Sequence, residues 1–227
     1  MSRMDLQLVV FLEKFYSEGL TITPMEFFLA LAIGYFLGAL PFAVWIGRFY
    51  GVNALTQGSC NPGATNILRL VGKKAGYTVF ALDALKGSVA VLLAQQFLSS
   101  NNPWLPIVAL CGTLLGHSFS CFIGFRGGKG VATTIGGLLV LMPMILGLGG
   151  IVWGIAFSLW RYVSLASILL AASLPIWSLI FLKPMPDLLL SIAIMAFIIL
   201  RHRTNLKRLW QGKESRFDQS KPNKPTA

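Results

Sequence analysis

The sequence predicts an all-α protein, a polytopic membrane helical bundle with seven transmembrane helices. Of its 227 residues, 55% are hydrophobic and only 12% are charged, whereas a soluble domain carries about 25% charged residues. The mean hydropathy is +0.70, and the hydrophobic residues are collected in long runs. This number of charged residues is too small to cover a globule of this size with polar surface. Lipid must therefore solvate much of the protein surface.

Six apolar runs supply the predicted spans. They cover Met25–Ile46, Gly76–Leu98, Trp104–Phe125, Val131–Trp160, Tyr162–Leu182 and Leu188–Leu200. The fourth run is about 30 residues long, more than the roughly 20 residues that one span requires. It contains Pro143 and the glycines Gly147, Gly149 and Gly150, where we expect the chain to reverse.

The distribution of Lys and Arg decides how often the fourth run crosses the membrane, because positive residues concentrate in cytoplasmic loops. A single span there would put Arg161 and the basic C-terminal tail outside, whereas two short helices put both inside. With seven spans, sixteen of the nineteen Lys and Arg residues lie on or near the cytoplasmic side. The exceptions are Arg3, Lys14 and Lys183. We therefore predict seven spans.

This topology divides the chain into three parts. Residues 1–24 form an extracytoplasmic or interfacial extension, and residues 25–212 form the seven-helix membrane domain. Residues 213–227 are polar and contain proline, so we expect a disordered cytoplasmic tail.

Three polar segments interrupt the apolar chain, and all fall on the predicted cytoplasmic side. The basic residues of these segments suggest a binding site for polyanions, such as two phosphates. These basic residues are Arg69, Arg126, Lys129, Arg161, Arg201, His202 and Arg203. In the second segment, Gly127, Gly128 and Gly130 surround Lys129, so backbone N–H groups could converge on an anion beneath the ammonium. An isolated Gly-Gly-Lys-Gly is equally compatible with a simple cytoplasmic turn.

Two pairs of polar residues share a helix face. Asp83 and Lys86 lie three residues apart inside an apolar span, where ionisable groups are costly unless paired or functional. We expect these two to satisfy each other or to hold a loop. His202 and Asn205 lie on one face if the last helix continues into the cytoplasm, where they could contact a ligand.

Several other chemistries are excluded. The net charge of +11 would suit a nucleic-acid-binding protein, but the basic residues lie mostly at the ends of apolar runs, so we expect no nucleic-acid partner. No HEXXH or other two-histidine spacing is present, and we expect no metal site and no cofactor. The H-x4-D pair of acyltransferases that act on thioesters is also absent.

Three strings of residues resemble one family. They read GS-x-N-x-GATN-x2-R from Gly58, H-x-FS-x-F-x2-FRGGKGVAT from His117, and RHR-x-N-x2-RL-x2-G-x-E from Arg201. Over roughly Met25–Glu214 the chain is similar to the membrane-integral acyl-phosphate:glycerol-3-phosphate acyltransferases of bacteria. It departs at Cys60, where the family often has glycine.

The resemblance implies that an acyl group passes from acyl phosphate to the 1-hydroxyl of glycerol 3-phosphate, giving lysophosphatidic acid and phosphate in the first step of phospholipid synthesis. It implies seven helices in the bacterial inner membrane, an active site on the cytoplasmic face, and no use of acyl-CoA or acyl carrier protein. The catalytic candidates are Ser59, Lys129 and Ser164. The candidates for binding substrate and phosphate are Asn66, Arg69, Arg126, Gly127, Gly128, Gly130, His202 and Asn205.

The attacking hydroxyl must lose a proton, and the sequence shows no well-placed carboxylate near His202. Asp83 lies inside a span, and Glu214 lies nine residues beyond Asn205. Nearby cations disfavour the imidazolium form of His202, which makes it a weak base. We therefore expect a phosphate oxygen of the donor to accept the proton and His202 to bind glycerol 3-phosphate.

Two other classes of protein fit parts of the pattern. A transporter for organic phosphates would also need a basic pocket in a helical bundle, but it should place polar residues near both membrane faces, often with an internal repeat. A structural subunit of a membrane assembly explains none of the Gly-Lys or Ser-Asn motifs. An enzyme accounts for more of the sequence than either alternative.

Overall fold

The computed structural model describes residues 23–98 and 102–217. Within these ranges the only regular elements are helices, which confirms the predicted all-helical class. A single-turn 3-10 helix spans Cys121–Ile123. The α-helices are α1 Pro24–Ala39, α2 Phe42–Phe49, α3 Ala64–Leu70, α4 Lys73–Phe97, α5 Trp104–Ser118, α6 Val131–Leu141, α7 Pro143–Trp160, α8 Val163–Ile180, α9 Met185–Arg201 and α10 Arg203–Trp210.

Several of these helices are long and apolar enough to cross a membrane. The described ranges contain four such spans: α1 and α2 together, α4, α7, and α8. The bent pair of α9 and α10 makes a fifth if it counts as one span. The helices α5 and α6 are apolar but shorter. A membrane bundle is therefore supported, while the number of seven spans stays a prediction.

The fourth apolar run divides into two helices at one of the two places that we predicted, the one marked by Pro143. The break lies at Met142, and Pro143 is the first residue of α7. Proline suits this position because its fixed φ fits a helix start and its missing N–H would have had no partner within the helix. The glycines at 147, 149 and 150, which were the other predicted place for the break, lie inside the continuous helix α7.

Glycines let two pairs of helices approach very closely. A Cβ atom added to Gly38 of α1 would overlap the carbonyl oxygen of Thr113 in α5. A Cβ added to Gly136 of α6 would likewise overlap the carbonyl oxygen of Ala84 in α4. Small residues at such contacts are typical of membrane helix packing. They hold α6, and with it the Gly-Gly-Lys-Gly segment that precedes it, against α4.

The largest cluster of buried hydrophobic residues in the described ranges contains residues from each of the helices α4, α5, α6, α7, α8 and α9. Its fully or almost fully buried members include Leu110, Leu138, Ile145, Leu174 and Ile194. Many large apolar side chains instead lie on the outer surface, where lipid would solvate them. The core thus fixes the relative positions of α5, α6 and α9, which carry or flank the polar segments.

Candidate active site

The three polar segments meet around one cavity of about 660 Å³, a volume typical of small-molecule sites. Its two ends differ in chemistry. The polar end is lined by Ser59, Asn66, Arg69, Lys129, Ser164, His202, Asn205, Arg208 and Glu214. The apolar end is lined by Tyr77 and Phe80 of α4, Val131 and Ile135 of α6, Leu146, Gly150, Trp153 and Phe157 of α7, and Leu170 of α8.

Most of the candidate site residues line this cavity. Those that do are Ser59, Asn66, Arg69, Lys129, Gly130, Ser164, His202 and Asn205. The exceptions are Arg126, whose side chain is exposed, and Gly127 and Gly128, which lie behind Lys129. Of the other cations that we grouped as an anion site, Arg161, Arg201 and Arg203 do not line the cavity either.

One N–H of the nest predicted around Lys129 is already bonded within the protein. The Gly128 N–H donates to the carbonyl oxygen of His117 at 3.1 Å, so it is not available to an anion. The guanidinium of Arg201 donates to the carbonyl oxygens of Gly127 and Gly128, at 3.2 and 2.9 Å. This loop therefore holds Lys129 in place, and Arg201 supports the loop from behind.

Lys129 belongs to a chain of hydrogen bonds. Its ammonium donates to Oδ1 of Asn205 at 2.6 Å, and Nδ2 of Asn205 donates to Oε1 of Glu214 at 2.6 Å. Ser164 Oγ donates to the same carboxylate oxygen at 2.7 Å, and Arg208 Nε donates to Oε2 at 2.7 Å. Because a carboxylate can only accept these bonds, Glu214 turns the amide of Asn205 so that its oxygen faces Lys129.

The position of Glu214 corrects the sequence analysis, which found no carboxylate near this site. The chain turns back after α10 at Gly212, whose φ of +65° is in the left-handed region that glycine adopts readily. Residues 213–217, which we assigned to a disordered tail, pack at the cavity. Arg69 Nη2 donates to the Ser215 carbonyl oxygen at 3.1 Å. Phe217 lines the cavity. Glycine just past a helix end was the available signal. Residues 218–227 and 1–22 lie outside the described ranges.

Asn66 organises the loop that carries Ser59. Its Oδ1 accepts from the Ser59 N–H at 2.9 Å, and its Nδ2 donates to the carbonyl oxygens of Ala54 and Gln57 at 3.2 and 3.1 Å. With 2% of its surface exposed, Asn66 has committed its amide to this loop. It therefore positions Ser59 at the cavity and offers little to a substrate directly.

Burial sets the charge state of two groups at the polar end. It is the main cause that lowers the pKa of His202 to about 4, with the nearby charge of Lys129 as the next cause. Burial also lowers the pKa of Lys129 to about 8, against the opposing effect of Glu214. At neutral pH, His202 is therefore uncharged while most of Lys129 is cationic.

The tautomer of His202 follows from its hydrogen bond. Its Nδ1 lies 2.8 Å from the carbonyl oxygen of Ile198, which can only accept. The proton is therefore on Nδ1, and Nε2 carries a lone pair. Glu214, in turn, has a pKa below its ordinary value: burial raises the pKa, but the hydrogen bonds from Ser164, Asn205 and Arg208 outweigh that effect.

Within residues 23–98 and 102–217, no three His, Cys, Asp or Glu side chains lie together so that they could hold a metal ion. The cavity instead combines Arg69, Lys129 and Arg208 with two carboxylates, Glu214 and Asp83, and the second of these is paired with Lys86. A site with this charge balance suits an anionic ligand. Its apolar end suits a ligand that also carries hydrocarbon.

Comparison with known proteins agrees with this chemistry. A family model described as glycerol-3-phosphate acyltransferase matches residues 28–212. The glycerol-3-phosphate acyltransferase of Fusobacterium nucleatum is 43% identical over 194 residues, covering 85% of this chain and 99% of that protein. The glycerol-3-phosphate acyltransferase of Neisseria gonorrhoeae is 38% identical over 196 residues, covering 85% and 98%.

Solved structures match as well. The crystal structure of PlsY, an integral membrane glycerol 3-phosphate acyltransferase, in its glycerol 3-phosphate form has a TM-score of 0.79 and 38% identity, covering 84% of this chain and 95% of that one. Its lysophosphatidic acid form has a TM-score of 0.77 at the same identity and coverage.

Proposed function

The chain belongs to the glycerol-3-phosphate acyltransferase family, and from this premise we propose that it transfers an acyl group from acyl phosphate to the 1-hydroxyl of glycerol 3-phosphate. It is an enzyme that makes lysophosphatidic acid. The identity of the acyl donor is the part that we add. The observation that carries it is that one cavity has both a cationic end and an apolar end.

The polar end has donors for phosphate oxygens. Lys129 has three N–H bonds, and one of them goes to Asn205. The guanidinium of Arg69 reaches Ser215 through Nη2, and its buried Nε has no hydrogen-bond partner among the described residues. A buried donor without a partner is costly, and a bound phosphate would satisfy it. We propose that Arg69 and Lys129 hold the phosphates of the two substrates.

The apolar end suits the acyl chain of the donor. It is lined by Val131 and Ile135 of α6, by aromatic side chains of α4, and by Gly150 and Trp153 of α7. A hydrocarbon chain that enters this end leaves its carbonyl carbon at the polar end, near Lys129 and Ser164. The product, a lipid, would leave from the same apolar end into the bilayer.

We propose a direct transfer without an acyl-enzyme. The 1-hydroxyl oxygen of glycerol 3-phosphate bonds to the carbonyl carbon, the bond from that carbon to the phosphate oxygen breaks, and the hydroxyl proton moves to the departing phosphate. Lys129 and Ser59 are proposed to stabilise the negative charge that develops on oxygen. Because the one O–H of Ser164 already goes to Glu214, Ser164 is proposed to hold that carboxylate in place. Holding two oriented substrates together supplies much of the rate, since effective molarities reach about 10⁵ M or more.

The donor is tested by incubating purified protein in lipid nanodiscs with glycerol 3-phosphate and either acyl phosphate, acyl-CoA or acylated carrier protein. We expect lysophosphatidic acid and inorganic phosphate in equal amounts from acyl phosphate alone. Comparable product from acyl-CoA or carrier protein would contradict the proposed donor. If glycerol 3-phosphate instead crosses a sealed vesicle wall and no product forms, the protein is a transporter.

We further propose seven spans over residues 25–212 in the bacterial inner membrane, with residues 1–24 outside and the cavity on the cytoplasmic side. The five candidate spans and the two shorter apolar helices α5 and α6 supply seven segments, and the basic residues favour this orientation.

Cysteine labelling tests this topology in a background without Cys60, Cys111 and Cys121. An impermeant reagent applied from outside should label a cysteine at Asn101, which lies between α4 and α5 in the sequence. It should not label a cysteine at Ser215, beside the cavity. Labelling at both positions would contradict the proposal.

A further inference from the structure

A second group of ionisable side chains packs against the Lys129 loop and is not part of the hydrogen-bond network described above, although two of its members, Asp83 and His117, also line the cavity. Asp83 and Lys86 of α4 and His117 at the end of α5 are 2%, 4% and 8% exposed. Asp83 and Lys86 form the predicted pair, with Oδ1 and Nζ 2.7 Å apart. The reaction proposed above gives none of the three a role.

All three N–H bonds of Lys86 have acceptors. Besides Asp83, the ammonium donates to Nδ1 of His117 at 2.9 Å and to the carbonyl oxygen of Leu40, between α1 and α2, at 3.2 Å. An ammonium has no lone pair, so Nδ1 of His117 is the acceptor. In the neutral ring the proton is therefore on Nε2, and Lys86 fixes both the tautomer and the orientation of the imidazole.

The imidazole of His117 lies directly against Gly128. A Cβ atom added to Gly128 would overlap His117 Nε2, so the ring occupies the space where a side chain would be. The main chain is held as well, because the Gly128 N–H donates to the His117 carbonyl oxygen at 3.1 Å and Ser118 Oγ donates to the Gly128 carbonyl oxygen at 3.1 Å. Gly128 is thus fixed by the last turn of α5, and the next residue is Lys129.

A buried ion pair is weak evidence for stability, because desolvation offsets its attraction and neutral replacements are often tolerated. The contacts of this cluster point instead to the geometry of the loop. We propose that Asp83, Lys86 and His117 form a positioning unit that sets the direction of Lys129 in the cavity. The proposal rests on the phosphate-binding role of Lys129 given above.

The principal test is His117→Asn. The asparagine Oδ1 can take the place of Nδ1 and keep an acceptor for Lys86, so no buried charge loses its partner, while the ring edge against Gly128 is lost. We expect an unchanged thermal unfolding midpoint and about a tenfold loss of kcat/KM. The affinity for glycerol 3-phosphate, measured by calorimetry without any acyl donor, should fall by a similar factor. Thr113→Val, buried one turn earlier in α5, is the matched control and should change neither quantity.

A double-mutant cycle separates positioning from a general effect on the fold. In a Lys129→Ala background, His117→Asn should cost little further activity, because the residue through which it acts is gone. The same loss in both backgrounds, or no loss in either, would overturn the proposal. If His117→Asn does not fold, the neutral pair Asp83→Asn with Lys86→Met carries the same cycle. Normal turnover by Lys129→Ala alone would instead refute the proposed function of Lys129, which is a separate outcome.

Discussion

Lys129→Ala is expected to lower kcat/KM by about 10- to 100-fold while the protein stays folded, and Arg69→Ala should do the same. Each side chain is proposed to give a charge-assisted hydrogen bond to a phosphate, which contributes roughly 1.5–3 kcal/mol, or one to two decades. Initial rates of lysophosphatidic acid formation at low substrate, together with thermal unfolding curves, measure the effect. Lys207→Ala is the control, because Lys207 is an exposed cation on α10 that does not line the cavity.

Lys129→Arg should also be impaired, because a planar guanidinium cannot occupy the place of a compact ammonium at 2.6 Å from Asn205.

The pH profile of kcat/KM adds a second readout. Since the pKa of Lys129 is lowered to about 8, chiefly by burial, wild-type kcat/KM should decline as the pH rises through about 8 and the ammonium loses its proton. The residual activity of Lys129→Arg should lack this decline. Normal turnover by both Lys129→Ala and Arg69→Ala at low substrate would refute the phosphate-binding role proposed for these two side chains.

Hydrophobicity and charge predicted the helical membrane bundle, because each apolar run must be solvated by lipid wherever it lies in the sequence. The division of the fourth run into two helices also followed from charge. The sequence offered two positions for the break, Pro143 and the glycine cluster, and did not decide between them; the structure has it at Pro143. Gly149 is packed near Leu170 and Leu174 of α8, so its place in α7 depends on a neighbour that the local sequence does not show.

The candidate site was predictable at the level of segments, because all three polar segments share one predicted side of the membrane. The individual contacts were not. Whether Arg201 faces an anion or the carbonyl oxygens of Gly127 and Gly128 depends on how α9 packs against a loop more than 70 residues earlier. Glu214 was missed because its distance along the chain from Asn205 says nothing about the turn at Gly212.

The orientation of His202 gives the last prediction: His202→Gln should raise KM for glycerol 3-phosphate about tenfold and lower kcat by a smaller factor. With Nδ1–H bonded to Ile198 and a pKa of about 4, Nε2 is a poor base but a good acceptor for a glycerol hydroxyl. Glu214 is no better placed to take the proton, because three donors occupy its carboxylate. Steady-state kinetics with each substrate varied separately measure the two constants. A kcat loss of about 10³-fold with unchanged KM is within the range of a lost general base and would make His202 that base. The same result for Glu214→Gln would assign the role to the carboxylate. If neither variant gives this result, the departing phosphate remains the proposed acceptor of the proton.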